Sequence, residues 1–196
     1  MNERKLNPIK LNGHDRGKSV LQALKRRKSE REFQDREISP LHLSELLWAA
    51  NGVNREDGRH TAPSAMNKHT IDVYVMLEDG IFRYDPENHQ LQTVAQGDYR
   101  KLAGLQDFVS TAPVNLIYIA DFNRLKDLPF EIDENIKTIW ASLDAGHNAE
   151  NVYLYCASEG LAVISRTSID KDTLGSAMKL RPEQKIILAQ TIGYPT

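Results

Sequence analysis

The sequence predicts an α+β chain folded around one sheet, and three observations carry that reading. Ile71, Val73, Val75 and Leu77 alternate with Asp72, Tyr74 and Met76, the period-2 pattern of a half-buried strand. Val114 to Ala120 is nearly continuous apolar, as in a strand covered on both faces. From Asp133 to Glu159 the apolar residues Ile136, Ile139, Trp140, Leu143, Val152 and Leu154 keep helical spacing until Gly160. At 1.5 Å per residue that helix is about 40 Å long, more than one small core needs, so it reads as a central or interface helix.

The other elements follow in chain order. Residues 1–16 are polar without periodicity and read as an extended arm able to wrap a partner subunit. A first helix covers about 17–27, with Val20, Leu21 and Leu24 as its expected buried stripe. Ser39 caps a second helix with Pro40 at its first position, Leu43, Leu46, Leu47 and Ala50 on one face, and Gly52 at its end. Residues 53–68 form a long polar loop, a length that is usually functional or disordered. Glu78-Asp79-Gly80 turns the chain into a return strand at 81–84, and Leu91–Val94 adds a short third strand. Helical segments are expected at about 98–110 and 170–180, and strands at 161–165 and 186–192. Hairpin strands and crossover helices together make the class α+β.

Composition narrows the function. A chain of 196 residues with 40% hydrophobic content supports one packed domain. Its net charge of −2 argues against general nucleic-acid binding, which needs a strongly basic surface. The single cysteine, Cys156, excludes an internal disulfide framework and a cysteine-based zinc site. No apolar run approaches the ~20 residues that span a bilayer, and no signal-peptide pattern opens the chain. The expected location is the cytoplasm, although a chain trimmed of a leader would read the same.

The run Arg26-Arg27-Lys28-Ser29-Glu30-Arg31-Glu32-Phe33 concentrates positive charge where the first helix ends. Arginine forks, a lysine point charge and a small hydroxyl suit a phosphate. The same cations also fit a solvated last turn that complements the helix macrodipole by roughly 0.3–1 kcal/mol each. Dinucleotide, P-loop, serine-hydrolase and zincin motifs are absent. The six histidines are scattered at spacings that match no common metal site, so no metal is expected. Cys156 reads as a buried inert thiol. Asp144, His147 and Glu150 stand one turn apart as ordinary polar neighbours on a helix, with a catalytic pair as the minor alternative.

Three segments taken together carry a resemblance. The first is Arg27 to Phe33. The second is Ala62-Pro63-Ser64-Ala65-Met66-Asn67. The third is Asp144-Ala145-Gly146, continued by Asn151, by Glu159-Gly160-Leu161-Ala162-Val163-Ile164 and by the closing Gly193-Tyr194-Pro195. In this order and spacing the chain resembles the flavin-dependent nitroreductase family over about residues 18–195, nearest the branch similar to thiazoline and oxazoline oxidase-type dehydrogenases. The resemblance implies a nitroreductase-like fold, with a central mixed or antiparallel sheet flanked by helices and a long interface helix. It implies one FMN-binding domain over 17–196 and a homodimer with FMN at the subunit interface. Electrons would pass from NADH or NADPH to a small organic acceptor (nitroaromatic, quinone-like or other) by a ping-pong scheme.

The site residues carry over by the same resemblance. Arg27, Lys28, Ser29 and Arg31 match positions that hold the phosphate and the pyrimidine side of the flavin. Pro63, Ser64, Ala65, Met66 and Asn67 match the loop that the partner subunit lays against it, with Asn67 bonding the ring or ribityl chain. Ile164, Ser165, Arg166, Thr167 and Ser168 match the segment whose backbone approaches N5 and O4. FMN carries the chemistry, so no catalytic acid–base pair is expected. Two departures stand out. Arg166-Thr167-Ser168 replaces the Gly or Glu-Gly of many members, leaving Arg166 as a candidate for phosphate, substrate or surface. The chain also ends at Thr196, where relatives carry a basic tail. That second departure keeps open a non-catalytic flavin-binding or regulatory protein on the same scaffold. Tyr99, Phe108, Phe122 and Phe130 fit either an apolar acceptor pocket or core packing.

Overall fold

The computed structural model describes residues 3–10 and 17–196. Seven strands form one sheet: β1 (Glu3–Lys5), β2 (Ile71–Leu77), β3 (Gly80–Asp85), β4 (Gln90–Gln96), β5 (Val114–Asp121), β6 (Ala162–Arg166) and β7 (Gln184–Gly193). Their spatial order is β1-β4-β3-β2-β5-β7-β6, and every neighbouring pair is antiparallel. The helices are α1 (Val20–Arg26), α2 (Pro40–Asn51), α3 (Glu134–Glu159) and α4 (Lys171–Ala177).

Strand alternation sends two sets of side chains to opposite faces of the sheet. Val73 and Val75 of β2 join Leu116 and Tyr118 of β5 under Leu46 and Leu47 of α2 and Ala145 and Val152 of α3. Tyr74 and Met76 join Ile117 and Ile119 against Leu174 of α4, Met178, Ala103 and Val109. All eight residues of β5 are therefore buried, as its apolar run predicts. In β2 the expected half-burial is corrected, because the α4 side is covered as well and Tyr74 and Met76 are buried.

The helix ends follow their caps. Ser39 accepts from His42 N–H at the head of α2, with Pro40 inside the first turn. Asp133 accepts from Ile136 N–H at the head of α3. Gly160 ends α3 in the left-handed region at φ 76°, where a side chain is strained, and its N–H returns to the Cys156 carbonyl.

Several expectations are corrected. Val20, Leu21 and Leu24 are exposed, and only Ala23 of α1 is buried. A seven-residue helix lying along α3 has room for one small contact face, and its apolar side points outward. The helical stretch expected at 98–110 is two short 3-10 turns, Arg100–Ala103 and Asp107–Val109, parted by extended Gly104. The helix expected at 170–180 ends at Ala177, and Lys179 then turns left-handed at φ 54°. Of the expected arm, Glu3–Lys5 pairs with β4 of its own sheet, while residues 1, 2 and 11–16 lie outside the described residues.

Leu46, fully buried between α2 and the sheet, tests the core on the α3 side. Leu46→Ala lowers the unfolding free energy by about 2–5 kcal/mol, read from urea denaturation midpoints at unchanged slope.

Candidate functional site

α1 stops at Arg26, and Arg27 turns extended at ψ 122° while its N–H still reaches the Ala23 carbonyl at 2.8 Å. Lys25 and Arg26, exposed in the last turn, complement the helix C-terminus as the solvated-face reading expects. The next residues are held differently. Glu30 N–H donates to the Val163 carbonyl of β6 at 3.0 Å. Ser29 Oγ lies 2.9 Å from the Tyr153 hydroxyl, and Ser165 N–H donates to that same hydroxyl at 2.8 Å. The Arg27 guanidinium sits over the Tyr153 ring, 5.4 Å from its centroid, within cation–π range. Tyr153 of α3 thus joins the basic loop to the end of β6.

The charges on this loop are not equivalent. Lys28 is spoken for by Glu30 at 2.8 Å. Arg31 is exposed, and among the described residues no carboxylate pairs with it. A cavity of about 420 Å³ opens beside the junction, lined by residues that include Lys28, Glu30, Tyr153, Cys156 and Thr196. Burial pushes the Cys156 thiol up, so it is inert as expected.

Behind the junction, the Gln190 amide donates to Ser165 Oγ at 3.1 Å and to the Ala149 carbonyl at 3.0 Å, while Tyr118 O–H donates to its oxygen at 2.5 Å. Ile164 is buried within β6, whereas Thr167 and Ser168 emerge exposed beyond it. Arg166 is the correction here. Its side chain is buried, with Nε and Nη2 donating to Thr191 Oγ1 at 3.0 and 2.8 Å. Nη2 also donates to Asn115 Oδ1 at 2.7 Å, and Nη1 to the Ala103 carbonyl. Burial with neutral acceptors only lowers its pKa to about 10. It is neither a surface residue nor a free phosphate ligand. It clamps the Ala103–Leu105 segment to the sheet, and Leu105 N–H bonds the Ser168 carbonyl at 3.1 Å. A Cβ on Gly104 would fall 2.2 Å from Arg166 Nη1, so this clamp requires glycine there.

The second segment is held elsewhere. Ala65 N–H donates to both Asp144 carboxylate oxygens at 3.0 and 3.2 Å, and the Thr70 hydroxyl donates to one of them at 3.4 Å. Burial raises the Asp144 pKa against these bonds. Asp144 is a loop brace, and His147 beside it is exposed. Met66, Asn67 and His69 have φ of 51°, 54° and 45°, a conformation that is uncommon outside glycine and concentrates at functional sites. Pro63, Met66 and Asn67 face solvent, and Ser64 and Ala65 are half-buried.

Asp144 and Tyr153 are nine residues apart on α3, about 14 Å and two and a half turns, so they lie at opposite edges of its buried stripe. One protomer therefore joins the basic loop to the end of β6 at Tyr153, and holds the 62–67 loop at Asp144, away from that junction.

A stacked histidine pair closes the long loop. His60 and His69 rings lie 4.0 Å apart at 26°. Asn51 Nδ2 donates to the Ile71 carbonyl, so Asn51 Oδ1 is left to accept from His60 Nδ1–H at 3.0 Å. Arg124 donates to the His69 carbonyl and pairs with Asp72 at 2.7 Å. Of the aromatics considered for an acceptor pocket, Phe122 is core, Phe108 packs 5.7 Å from Phe33, and Tyr99 is half-buried against the α4-side core. Phe130 alone of these is exposed, as is Leu105 next to the Ser168 contact. Among the described residues no group of three or more His, Cys, Asp or Glu side chains could hold a metal ion, and no helix is long and apolar enough to cross a membrane.

Sequence patterns did not mark Tyr153 or the His60–His69 stack, and marked Arg166 without its buried role, because the partners are distant in the chain. The Asp144 brace lies inside the Asp144-Ala145-Gly146 segment that carried part of the resemblance.

Comparison with known proteins agrees with the fold and the segment order. The family model described as the nitroreductase family matches residues 24–194. A protein of Methanocaldococcus jannaschii named as a nitroreductase is 30% identical over 166 residues, 80% of this chain and 82% of its own. The crystal structure of a Ralstonia eutropha JMP134 protein described as a nitroreductase superposes with a TM-score of 0.90 at 38% identity, covering 99% of this chain and 90% of that one. A Clostridium acetobutylicum protein described as an NADH oxidase shares the fold at 21% identity and a TM-score of 0.61, over 91% of this chain and 88% of its own. The fold and the family match make this an α+β oxidoreductase. The chain belongs to the nitroreductase family.

The histidine stack makes stability acid-sensitive. Burial, then the neighbouring His69 and Arg124, lower the His60 pKa from 6.5 to about 4, and burial with Arg124 and Arg55 lowers that of His69. Between those pH values the unfolded chain binds the proton and the folded chain does not, so stability falls as pH drops from about 6.5 towards 4. Urea midpoints measured from pH 7.5 to 5 decline accordingly, and His60→Asn flattens that slope.

Proposed function

We propose that this protein is an FMN-dependent oxidoreductase that moves electrons from NADH or NADPH to a small organic acceptor in two half-reactions. The observation that carries the reading is the Tyr153 junction. It sets a preorganised basic loop, with exposed Arg27 and Arg31, against the exposed end of β6. Those groups fit a flat ligand with a phosphate: cations and a hydroxyl at one end, the β6 backbone at the other. When bound, FMN would supply the hydride and electron chemistry. The chain's own residues would bind and orient it. Arg27, Ser29 and Arg31 hold the phosphate and the pyrimidine side, Lys28 contributes less because Glu30 neutralises it, and the 164–168 backbone lies against the ring. Nearby cations also favour the anionic reduced form.

The site is completed by a second copy. Met66 and Asn67 are exposed, and their loop is held at Asp144, about 14 Å along α3 from Tyr153, so on this reading the loop 63–67 serves the partner's flavin. α3 offers the contact. Ile136, Ile139, Leu143 and Gly146 follow one another at three- and four-residue steps on its exposed side, the spacing of a helix–helix seam. Val20, Leu21 and Leu24 of α1, 51–79% exposed, extend the apolar surface, and surfaces of this kind mark interfaces.

We place the protein in the cytoplasm. Within the family its motifs favour the thiazoline and oxazoline oxidase-type branch, so ring-dehydrogenation substrates belong beside nitroaromatics and quinones in any acceptor screen.

The purified protein retains a flavin absorbance spectrum, with one FMN per chain after loading and desalting. NADH or NADPH bleaches it anaerobically, and an acceptor restores it. A protein that binds FMN but is never reduced is instead the non-catalytic flavin binder, and one that cannot be loaded has no claim to either role. The double substitution Arg27→Ala with Arg31→Ala weakens FMN binding by more than about a hundredfold, since each removes a charged hydrogen bond to phosphate, and leaves the fold intact. Stoichiometric FMN in that variant refutes the site. Gly146→Leu converts dimer to monomer in sedimentation experiments. Nothing lies within 4 Å of the added Cβ, and leucine is the better helix former, so unfolding would not explain the change.

A further inference from the structure

One oxygen, Tyr153 Oη, touches both halves of the proposed cofactor seat, and its proton inventory fixes what each half can do. A phenol has one proton to give. Ser165 N–H has only a proton to give, so in that 2.8 Å contact Oη is the acceptor. Tyr153 is 9% exposed, and the contact left to it is Ser29 Oγ at 2.9 Å. Were Ser29 to donate here, Oη would accept twice and its own proton would have no protein acceptor on a largely buried side chain, a loss of up to about 1–3 kcal/mol where water does not reach it. The arrangement without that penalty has Tyr153 donating to Ser29. The Ser29 proton is then free, and Ser29 is on the exposed surface of the loop. Its hydroxyl becomes an oriented donor facing outward. The Tyr153 ring meanwhile carries the Arg27 guanidinium at 5.4 Å.

We propose that Tyr153 is a positioning residue that converts Ser29 into an outward hydrogen-bond donor and holds Arg27 beside it, so that the two form the seat of the flavin phosphate. This rests on the FMN reading above and adds the residue that orients the seat. The α3 backbone holds Tyr153 in place, and Gln190 and Tyr118 brace Ser165 from behind. The loop 27–30 is thereby ordered before any ligand arrives. A ring-only effect of Tyr153, through Ser165 and β6, would act on any flavin. An effect through Ser29 would act only on one that carries a phosphate.

The test measures dissociation constants of FMN and of riboflavin, by flavin fluorescence quenching, for the natural protein, Tyr153→Phe, Ser29→Ala, Ser29→Thr and the Tyr153→Phe/Ser29→Ala pair. The natural protein prefers FMN strongly. Tyr153→Phe and Ser29→Ala each reduce that preference by roughly tenfold or more, as expected for a hydrogen bond to a charged group. The pair loses no more than either alone, and Ser29→Thr keeps the preference. An unchanged FMN-to-riboflavin ratio in Tyr153→Phe, or losses that multiply in the pair, overturns the proposal while leaving the flavin site standing. Should Tyr153→Phe fail to fold, an unchanged ratio in Ser29→Ala overturns it alone. A natural protein that binds neither flavin overturns the FMN reading itself.

Discussion

The fold depends on the burial of one long helix across one face of the sheet. α3 runs unbroken from Glu134 to Glu159, and its buried residues Ala141, Asp144, Ala145, Asn148, Ala149, Val152, Tyr153 and Cys156 form a continuous stripe. Ala141, Ala145 and Ala149 make up three of these eight, so along that stretch α3 lies close to what it covers. Asn148 donates to the Ala50 carbonyl at the end of α2, which ties the helices across that approach. Both candidate loops hang from this helix, one at Asp144 and one at Tyr153. A straight helix fixes the separation between them. On the proposed reading the two loops that meet around one ligand come from different copies of the chain, and the apolar exposed side of the same helix is the surface on which those copies would meet.

The buried polar groups serve the same geometry. Arg166 is a cation held in the interior by neutral acceptors, and Asp144 is a buried carboxylate held by a backbone N–H and a hydroxyl. Burial of such charges is costly, and a core stabilised for its own sake would replace them with apolar residues. Each instead fixes one loop to the sheet or to α3: Arg166 the Ala103–Leu105 segment, Asp144 the Ala65 loop. Asp144 accepts from the Ala65 N–H and the Thr70 hydroxyl rather than from His147, which is exposed beside it.

Much of this was legible in the chain. The hairpin of β2 and β3, the all-buried β5, the capped α2 and the length of α3 all rest on local signals: alternation, turn residues, Ser39, Asp133 and Gly160. β1 was not legible, because Glu3–Lys5 has no apolar alternation and joins the sheet by backbone pairing with β4 and through Arg4, which pairs with Asp79 and lies over the Phe82 ring. The stripe Val20, Leu21, Leu24 was visible, but amphipathicity does not say what covers it, and within one protomer nothing described does. The three candidate segments could be recognised by order and spacing. The junction that unites two of them could not, because Ser29, Tyr153 and Ser165 are brought together by tertiary packing. The role of Arg166 was hidden for the same reason, its partners Ala103, Asn115 and Thr191 lying on three other elements.

On the proposed reading, backbone strain and exposed apolar surface both serve a site shared between two copies. Met66, Asn67 and His69 occupy left-handed conformations within four consecutive residues, each with a conformational cost, and the side chains of Met66 and Asn67 are exposed rather than packed against the core. Such a loop persists because Asp144, Ser64 and Arg124 over-determine its backbone. An isolated protomer gains nothing from holding Asn67 rigidly in solvent. On the proposed reading a shared flavin does, since a donor already fixed before binding loses little entropy on contact. The same logic applies to the basic loop, held at Ala23, Tyr153 and Val163 before a ligand is present. A cofactor that brings its own chemistry asks of the protein a rigid, correctly charged cradle, and the polar interactions of this chain are distributed accordingly.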